Sequence, residues 1–355
     1  MKRIVLTGGG TAGHVTPNIA LLPSLRELGY DITYIGSHDG IEKELAASNS
    51  LPYYAISCGK LRRYLDLKNL RDPFLIIKGF FEAKKLLKKI KPDVVFSKGG
   101  FVSVPVVLAA KTRRIPVISH ESDMTPGLAN KISAPFAWKI CCNFPETLNN
   151  LPKEKAVLSG SPIREELFTG NKEEGLKLCG FNSEKPVILV TGGSLGSAIL
   201  NDAVRRILDS LTKDFQIVHL CGKGNIDESL LNVEGYKQID YANKEMKDLF
   251  ALSDLIISRA GANAICEILS LNKPNILIPL SKNASRGDQI LNARSFEKQG
   301  FSVVIEEEDL SDEKLLDEIR KLYENKNSYI KTMAENDQLN AIGTIIGLIE
   351  EAANK

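Results

Sequence analysis

The chain has no Asp-x-Asp pair, no two cysteines at C-x-x-C spacing and no unbroken apolar run of the ~20 residues that a membrane-spanning helix needs. The first two absences leave a tightly held metal without an evident ligand set. Cys58, Cys141, Cys142, Cys179, Cys221 and Cys266 lie mostly in apolar runs and read as reduced core residues, not as a disulfide framework. The third absence predicts a soluble protein. Met1-Lys2-Arg3-Ile4-Val5 runs straight into a strand, so no cleaved leader is expected. Low-complexity segments are missing as well.

What the chain does have is two glycine loops, each placed after an apolar strand and before a helical pattern. Arg3-Ile4-Val5-Leu6-Thr7 leads into Gly8-Gly9-Gly10-Thr11-Ala12-Gly13-His14, and Val187-Ile188-Leu189-Val190-Thr191 leads into Gly192-Gly193-Ser194-Leu195-Gly196-Ser197. Free N–H groups and the positive end of a helix converge at such a junction, which suits phosphate. Gly8, Gly10 and Gly13 satisfy G-x-G-x-x-G, but the next strand ends Tyr34-Ile35-Gly36-Ser37 without the acid that a nicotinamide ribose requires. A P-loop is excluded too, because His14-Val15 stand where Lys and Ser or Thr belong. With only four histidines in the chain, His14 at the mouth of a phosphate loop is the candidate proton acceptor. A helix dipole there would help keep its ring neutral.

A length of 355 residues predicts two domains of roughly 150 residues each. Apolar runs at 3–7, 32–36, 53–57, 93–97, 116–119 and 139–142 mark strands of the first half. Those at 156–158, 187–191, 216–220, 237–240, 255–258, 275–278 and 302–305 mark strands of the second. Helical periodicity at 18–28, 69–90, 127–136, 199–211, 262–271 and 288–299 alternates with them, which predicts doubly wound α/β domains. Gly160-Ser161-Pro162-Ile163-Arg164 is the expected hinge. The tail from about 328 to 352 reads as helical.

The net charge of +2 conceals an asymmetry: residues 1–160 hold 23 Lys and Arg against 13 Asp and Glu. Lys60 to Lys91 alone hold 11 basic residues, interleaved with large apolar ones such as Phe74, Ile77, Phe80 and Phe81. That mixture suits an anionic membrane surface. It also suits an amphipathic helix whose apolar stripe faces a core. No nucleic-acid-binding motif accompanies the charge, so nucleic acid is not an expected partner.

The second half adds Ser258-Arg259-Ala260-Gly261 followed by Glu267, and Arg286-Gly287-Asp288-Gln289 at a further helix start. Glu267 is either a ribose ligand or a first-turn acid favoured by the helix dipole. The first half adds His120-Glu121-Ser122-Asp123 and Pro126-Gly127-Leu128-Ala129-Asn130. Taken in order along nearly the whole chain, these motifs resemble the MurG family of bacterial peptidoglycan N-acetylglucosaminyltransferases.

The resemblance implies a GT-B fold, α/β, with two Rossmann-like doubly wound domains facing a cleft. Residues 1–160 would form an acceptor- and membrane-binding domain and 161–340 a UDP-GlcNAc-binding domain, with 341–355 a helix packing back on the first. It implies inverting transfer of GlcNAc from UDP-GlcNAc to the MurNAc C4 hydroxyl of lipid I, at the cytoplasmic face of the membrane, with no cofactor. Thr11, Ala12 and Gly13 would lie beside the donor sugar and diphosphate. Arg164 and Ser194 would touch the diphosphate, Glu267 the ribose and Gln289 the GlcNAc hydroxyls. His14 would be base or orienting group. Where many members have His-Glu-Gln-Asn this chain has His-Glu-Ser-Asp, so Asp123 joins His14 as a candidate base.

Overall fold

The computed structural model describes residues 1–59, 72–193, 195–282, 287–336 and 340–355. Ser194, Arg286 and the first twelve residues of the basic segment therefore lie outside the described residues. Two units emerge: Met1–Arg164 together with Gln338–Lys355, and Glu165–Asp337.

Each unit is built on one parallel sheet. In the first, β1 (Arg3–Thr7), β2 (Asp31–Ser37), β3 (Tyr53–Ile56), β4 (Val94–Ser97), β5 (Val117–Glu121), β6 (Lys139–Cys142) and β7 (Ala156–Leu158) lie in the order β3-β2-β1-β4-β5-β6-β7. In the second, β8 (Val187–Thr191), β9 (Gln216–Leu220), β10 (Tyr236–Ile239), β11 (Leu255–Ser258), β12 (Asn275–Leu277) and β13 (Val303–Val304) lie in the order β10-β9-β8-β11-β12-β13. The doubly wound α/β class read from the sequence holds for both. One strand changes sides: residues 156–158, grouped above with the second half, pair with β6 and close the first sheet.

The unbroken apolar runs follow from burial on both faces. Along β1, Ile4 and Leu6 enter one core layer with Leu21, Leu25, Ile345 and Ile349, while Val5 points into the other with Ile35, Val95 and Leu87. Side chains alternate across a strand, so a sheet covered on both sides needs apolar residues at every position. β8 repeats the pattern in the second unit, where Ile188 and Val190 face the helices Ala198–Arg206, Leu208–Asp214 and Asp312–Glu324. The 199–211 pattern is thus two helices, parted at Ile207. The C-terminal helix Ala341–Ala353 returns to the first unit, burying Ile345, Ile349 and Ala352 there.

In both sheets the strand order reverses at one place, between β1 and β4 and again between β8 and β11. Ligands of open α/β sheets bind beyond the carboxyl ends of the strands at this reversal. The two glycine loops leave β1 and β8, so each sits at the switch point of its own sheet.

Candidate functional site

In the first unit the loop after β1 is tied down from several sides. Tyr34 donates its hydroxyl to the Gly8 carbonyl at 2.8 Å. Glu42, fully buried on the helix Ile41–Ser48, accepts from Gly10 N at 3.2 Å and from Ser37 N at 3.0 Å. The Gly10 amide is thereby committed to a carboxylate. His14 ends a short 3-10 turn, with Nδ1 3.2 Å from both the Gly9 carbonyl and Thr11 Oγ1. A carbonyl only accepts, so Nδ1 carries the proton and Nε2 is the basic nitrogen.

A second loop, Lys98-Gly99-Gly100, leaves β4 and packs against the first. Gly100 adopts φ +80°, and a methyl group on it would strike the carbonyl of Gly9, the same oxygen that holds His14. Lys98 N donates to Thr7 O at 2.9 Å, and its side chain is buried to 1% exposure. Lys98 Nζ lies 2.6 Å from His120 Nδ1 and hydrogen-bonds Ser122 Oγ. His120 Nε2 donates to the Gly160 carbonyl at 3.0 Å, so both of its nitrogens are engaged within the fold. Burial first and Lys98 second hold its basicity well below the ordinary imidazole value.

Asp123 follows β5 in a turn organised by Glu121, whose carboxylate accepts from Asp123 N at 3.0 Å, Gly127 N at 2.9 Å and Asn130 Nδ2 at 2.8 Å. Burial pushes the Glu121 carboxyl up. The structure brings Asp123 and His14 within electrostatic reach of one another. Burial and then Lys98 depress the basicity of His14, while Asp123, the Gly9 carbonyl and Glu42 raise it. Burial first and the Lys98 ammonium second are the influences that favour the neutral ring. Thr11, Ala12 and Gly13 lie in the same turn. Arg164 is half-buried and ends the first of the two chain segments that make up the unit.

In the second unit Gly192, Gly193, Gly196, Arg259, Gln289 and Glu307 help line a cavity of about 480 Å³. The Gly196 amide closes the turn onto the Gly193 carbonyl at 3.0 Å, and Gly193 N donates to Thr191 Oγ1 at 3.3 Å. Arg259 leaves β11 and holds this loop: Nε and Nη2 donate to Ser197 Oγ at 3.1 and 2.6 Å, and Nη1 donates to the Ile278 carbonyl at 2.9 Å. Its charge is paired with Glu307, which also accepts from Ser281 N at 3.0 Å. Gln289 accepts from Leu280 N at 3.2 Å, so its amide nitrogen is the end left to donate. Glu267 is half-buried at the sixth position of the helix Ala262–Ser270, too deep to be a first-turn acid. It is not among the residues lining that cavity.

Three residues escaped the sequence reading. Glu42 and Lys98 look like ordinary surface charges in one dimension, and Arg259 was noticed only as part of a turn. Val94-Val95-Phe96-Ser97 followed by Lys98-Gly99-Gly100 is a third apolar run ending in glycines, a signal available in the sequence.

The helix Asp72–Ile90 splits its apolar residues between two faces. Gly79, Ala83 and Leu87 are buried, whereas Phe74, Ile77 and Phe81 are 73%, 54% and 62% exposed beside exposed Lys78, Lys84, Lys85 and Lys88. No helix among the described residues is long and apolar enough to cross a membrane.

Residues 4–142 match the family model described as the glycosyltransferase family 28 N-terminal domain, and residues 187–347 match that of the family 28 C-terminal domain. The chain is 64% identical over 351 residues to the UDP-N-acetylglucosamine–N-acetylmuramyl-(pentapeptide) pyrophosphoryl-undecaprenol N-acetylglucosamine transferase of Lachnospira eligens, covering 99% of each chain. The protein of the same name from Lachnoclostridium phytofermentans is 63% identical over 355 residues, 100% of both chains. Among solved structures, Acinetobacter baumannii MurG matches with a TM-score of 0.77 at 25% identity, covering 99% of this chain and 100% of that one.

Proposed function

The chain belongs to glycosyltransferase family 28, and from that premise we propose that it transfers GlcNAc from UDP-GlcNAc to the MurNAc C4 hydroxyl of lipid I, forming lipid II for peptidoglycan. One observation carries this reading: 64% identity to a transferase of that specificity along 99% of both chains. Both site geometries suit the chemistry. The acceptor hydroxyl attacks the anomeric carbon of GlcNAc as the bond to UDP breaks, inverting the configuration. The hydroxyl proton passes to His14 Nε2, the nitrogen that the Gly9 contact leaves basic. Asp123 stabilises the imidazolium that results and is the second candidate for the proton.

In the donor-holding unit, negative charge grows on the departing diphosphate. The loop Gly192–Gly196 and the N-terminus of the helix Ala198–Arg206 stabilise it, with Arg259 fixing the loop from behind. Ser194 and Arg164 add contacts to the diphosphate. Glu267 binds the ribose diol, and Gln289 directs its amide nitrogen to the sugar hydroxyls. Thr11, Ala12 and Gly13 line the reacting sugar and diphosphate. The exposed face of Phe74, Ile77 and Phe81, ringed by lysines, holds the protein peripherally on the anionic, cytoplasmic leaflet that presents the acceptor.

The test is incubation with labelled UDP-GlcNAc and a lipid I analogue, followed by determination of the product linkage. A β-1,4-linked disaccharide formed only when acceptor is present supports the reading. Conversion of UDP-GlcNAc without acceptor would instead mark an epimerase.

A further inference from the structure

Lys98 has no task in the transfer as described, yet its position is costly. A buried ammonium loses several kcal/mol of hydration unless its surroundings replace it. Here they do so specifically: His120 is fixed as an acceptor at Nδ1 because its Nε2 donates to Gly160, and Ser122 Oγ supplies a second partner. The backbone then couples Lys98 to the loop of His14. A methyl group on Gly8 would strike the His14 carbonyl and lie 3.1 Å from Lys98 Cβ, so the two residues flank one glycine. Two residues on, Gly100 presses on the carbonyl that orients the imidazole.

We propose that Lys98 is a positioning residue for the transfer: a buried cation, held between His120 and Ser122 and packed through Gly8 and Gly100 onto the loop of His14, that keeps Nε2 ready for the acceptor proton. The proposal rests on His14 being the base. Three charged groups act on the ring, each from a different element: Lys98 from the loop after β4, Asp123 from the loop after β5 and Glu42 from the helix Ile41–Ser48. Lys98 ranks behind only burial among the influences that lower the basicity of His14, and Asp123 leads those that raise it. Both departures from the family's His-Glu-Gln-Asn stretch meet in this device. Ser122 holds the cation, and Asp123 opposes it.

The experiment titrates the four histidines of the full-length protein by NMR, with His14→Gln identifying the His14 signal. Wild type is compared with Lys98→Met, Lys98→Gln, Lys98→Arg and Asp123→Asn, and kcat/KM against pH is recorded on a soluble lipid I analogue. Removing the ammonium favours the imidazolium, so both neutral variants move the His14 midpoint to higher pH. The acid limb of the rate profile follows it. A shift of half a pH unit makes the loss of rate below the midpoint about threefold larger than the loss at pH 8. Lys98→Arg keeps the wild-type midpoint, and Asp123→Asn moves it to lower pH.

If Lys98→Met does not fold, Lys98→Gln and Asp123→Asn carry the same comparison. A midpoint unmoved in the neutral variants, with rates reduced equally at every pH, overturns the proposal and leaves Lys98 a structural residue. A midpoint that moves while the rate profile stays put overturns His14 as the base, and with it any part for Lys98 in the transfer.

Discussion

An imidazole whose Nδ1–H is held by a backbone carbonyl takes up a proton only at Nε2, and the surrounding charges decide when. For His14 the net influence is downward from 6.5. The neutral form therefore persists at pH values below 6.5, and kcat/KM should stay flat through neutral pH and fall only on the acid side of that value. A profile that already declines between pH 8 and 7 would contradict this assignment. His14→Ala should lower kcat by ~10²–10⁴-fold, the usual worth of a general base, with donor affinity by calorimetry changed little. Arg259 makes the corresponding argument in the second unit, through stability. Both it and Glu307 have side chains 7% exposed. Arg259→Met strands a buried carboxylate and should cost about 3–5 kcal/mol in denaturant unfolding. Arg259→Met with Glu307→Leu should recover much of the loss, and a double variant no more stable than the single one would show that the ion pair is not the reason. Lys98, Glu42 and Arg259 share one cause of illegibility. A charged side chain read in sequence is assigned to the surface, and only tertiary packing reveals that a glycine loop has closed over it.

At the scale of elements, β1 and β8 are legible because burial on both faces leaves no room for a polar residue between Ile4 and Leu6, or between Ile188 and Val190. β7 is legible as a strand and the 1–160 boundary keeps it in the first domain, but its grouping with the second-half strands fails, since pairing with β6 depends on a partner that an apolar triplet does not specify. The helix Asp72–Ile90 has the opposite difficulty. Its periodicity was visible, but helical spacing alone could not separate a core stripe from a docking stripe, and the helix carries both. Because Phe74, Ile77 and Phe81 are mostly exposed, replacing all three with Ser removes little core packing beyond the edge contact of Phe81 with Phe80. Burial of each in lipid is worth about 1.5–3 kcal/mol, so the triple variant should lose well over tenfold in partitioning to anionic vesicles. Unfolding midpoint and turnover of a soluble acceptor analogue should be unchanged. Equal binding of wild type and variant to vesicles containing phosphatidylglycerol would rule out the docking face.

Over the whole molecule, the two units repeat one plan. Each places a glycine loop and a basic-residue loop side by side at the reversal of its strand order, with Lys98 beneath one and Arg259 behind the other. The chain does not divide into two consecutive halves, because the helix Ala341–Ala353 belongs to the unit that begins at Met1. Ile345 and Ile349 are fully buried there against Ile4 and Leu6, and Lys2 and Tyr30 both bond Glu350. Two isoleucines at about 1.5–3 kcal/mol each are a large share of the roughly 5–15 kcal/mol that holds a domain together. The half-exposed Lys2–Glu350 pair adds at most about 1 kcal/mol. Ending the chain at Asn340 should therefore destabilise the first unit and spare the second. In hydrogen exchange, β1 and β4 should lose protection by orders of magnitude while β8 and β11 keep theirs. The truncated protein should still bind UDP-GlcNAc yet fail to transfer the sugar. Uniform loss of protection in both units would mean that they fold as one cooperative body, and unchanged protection in β1 would mean that the returning helix is dispensable to the core it covers.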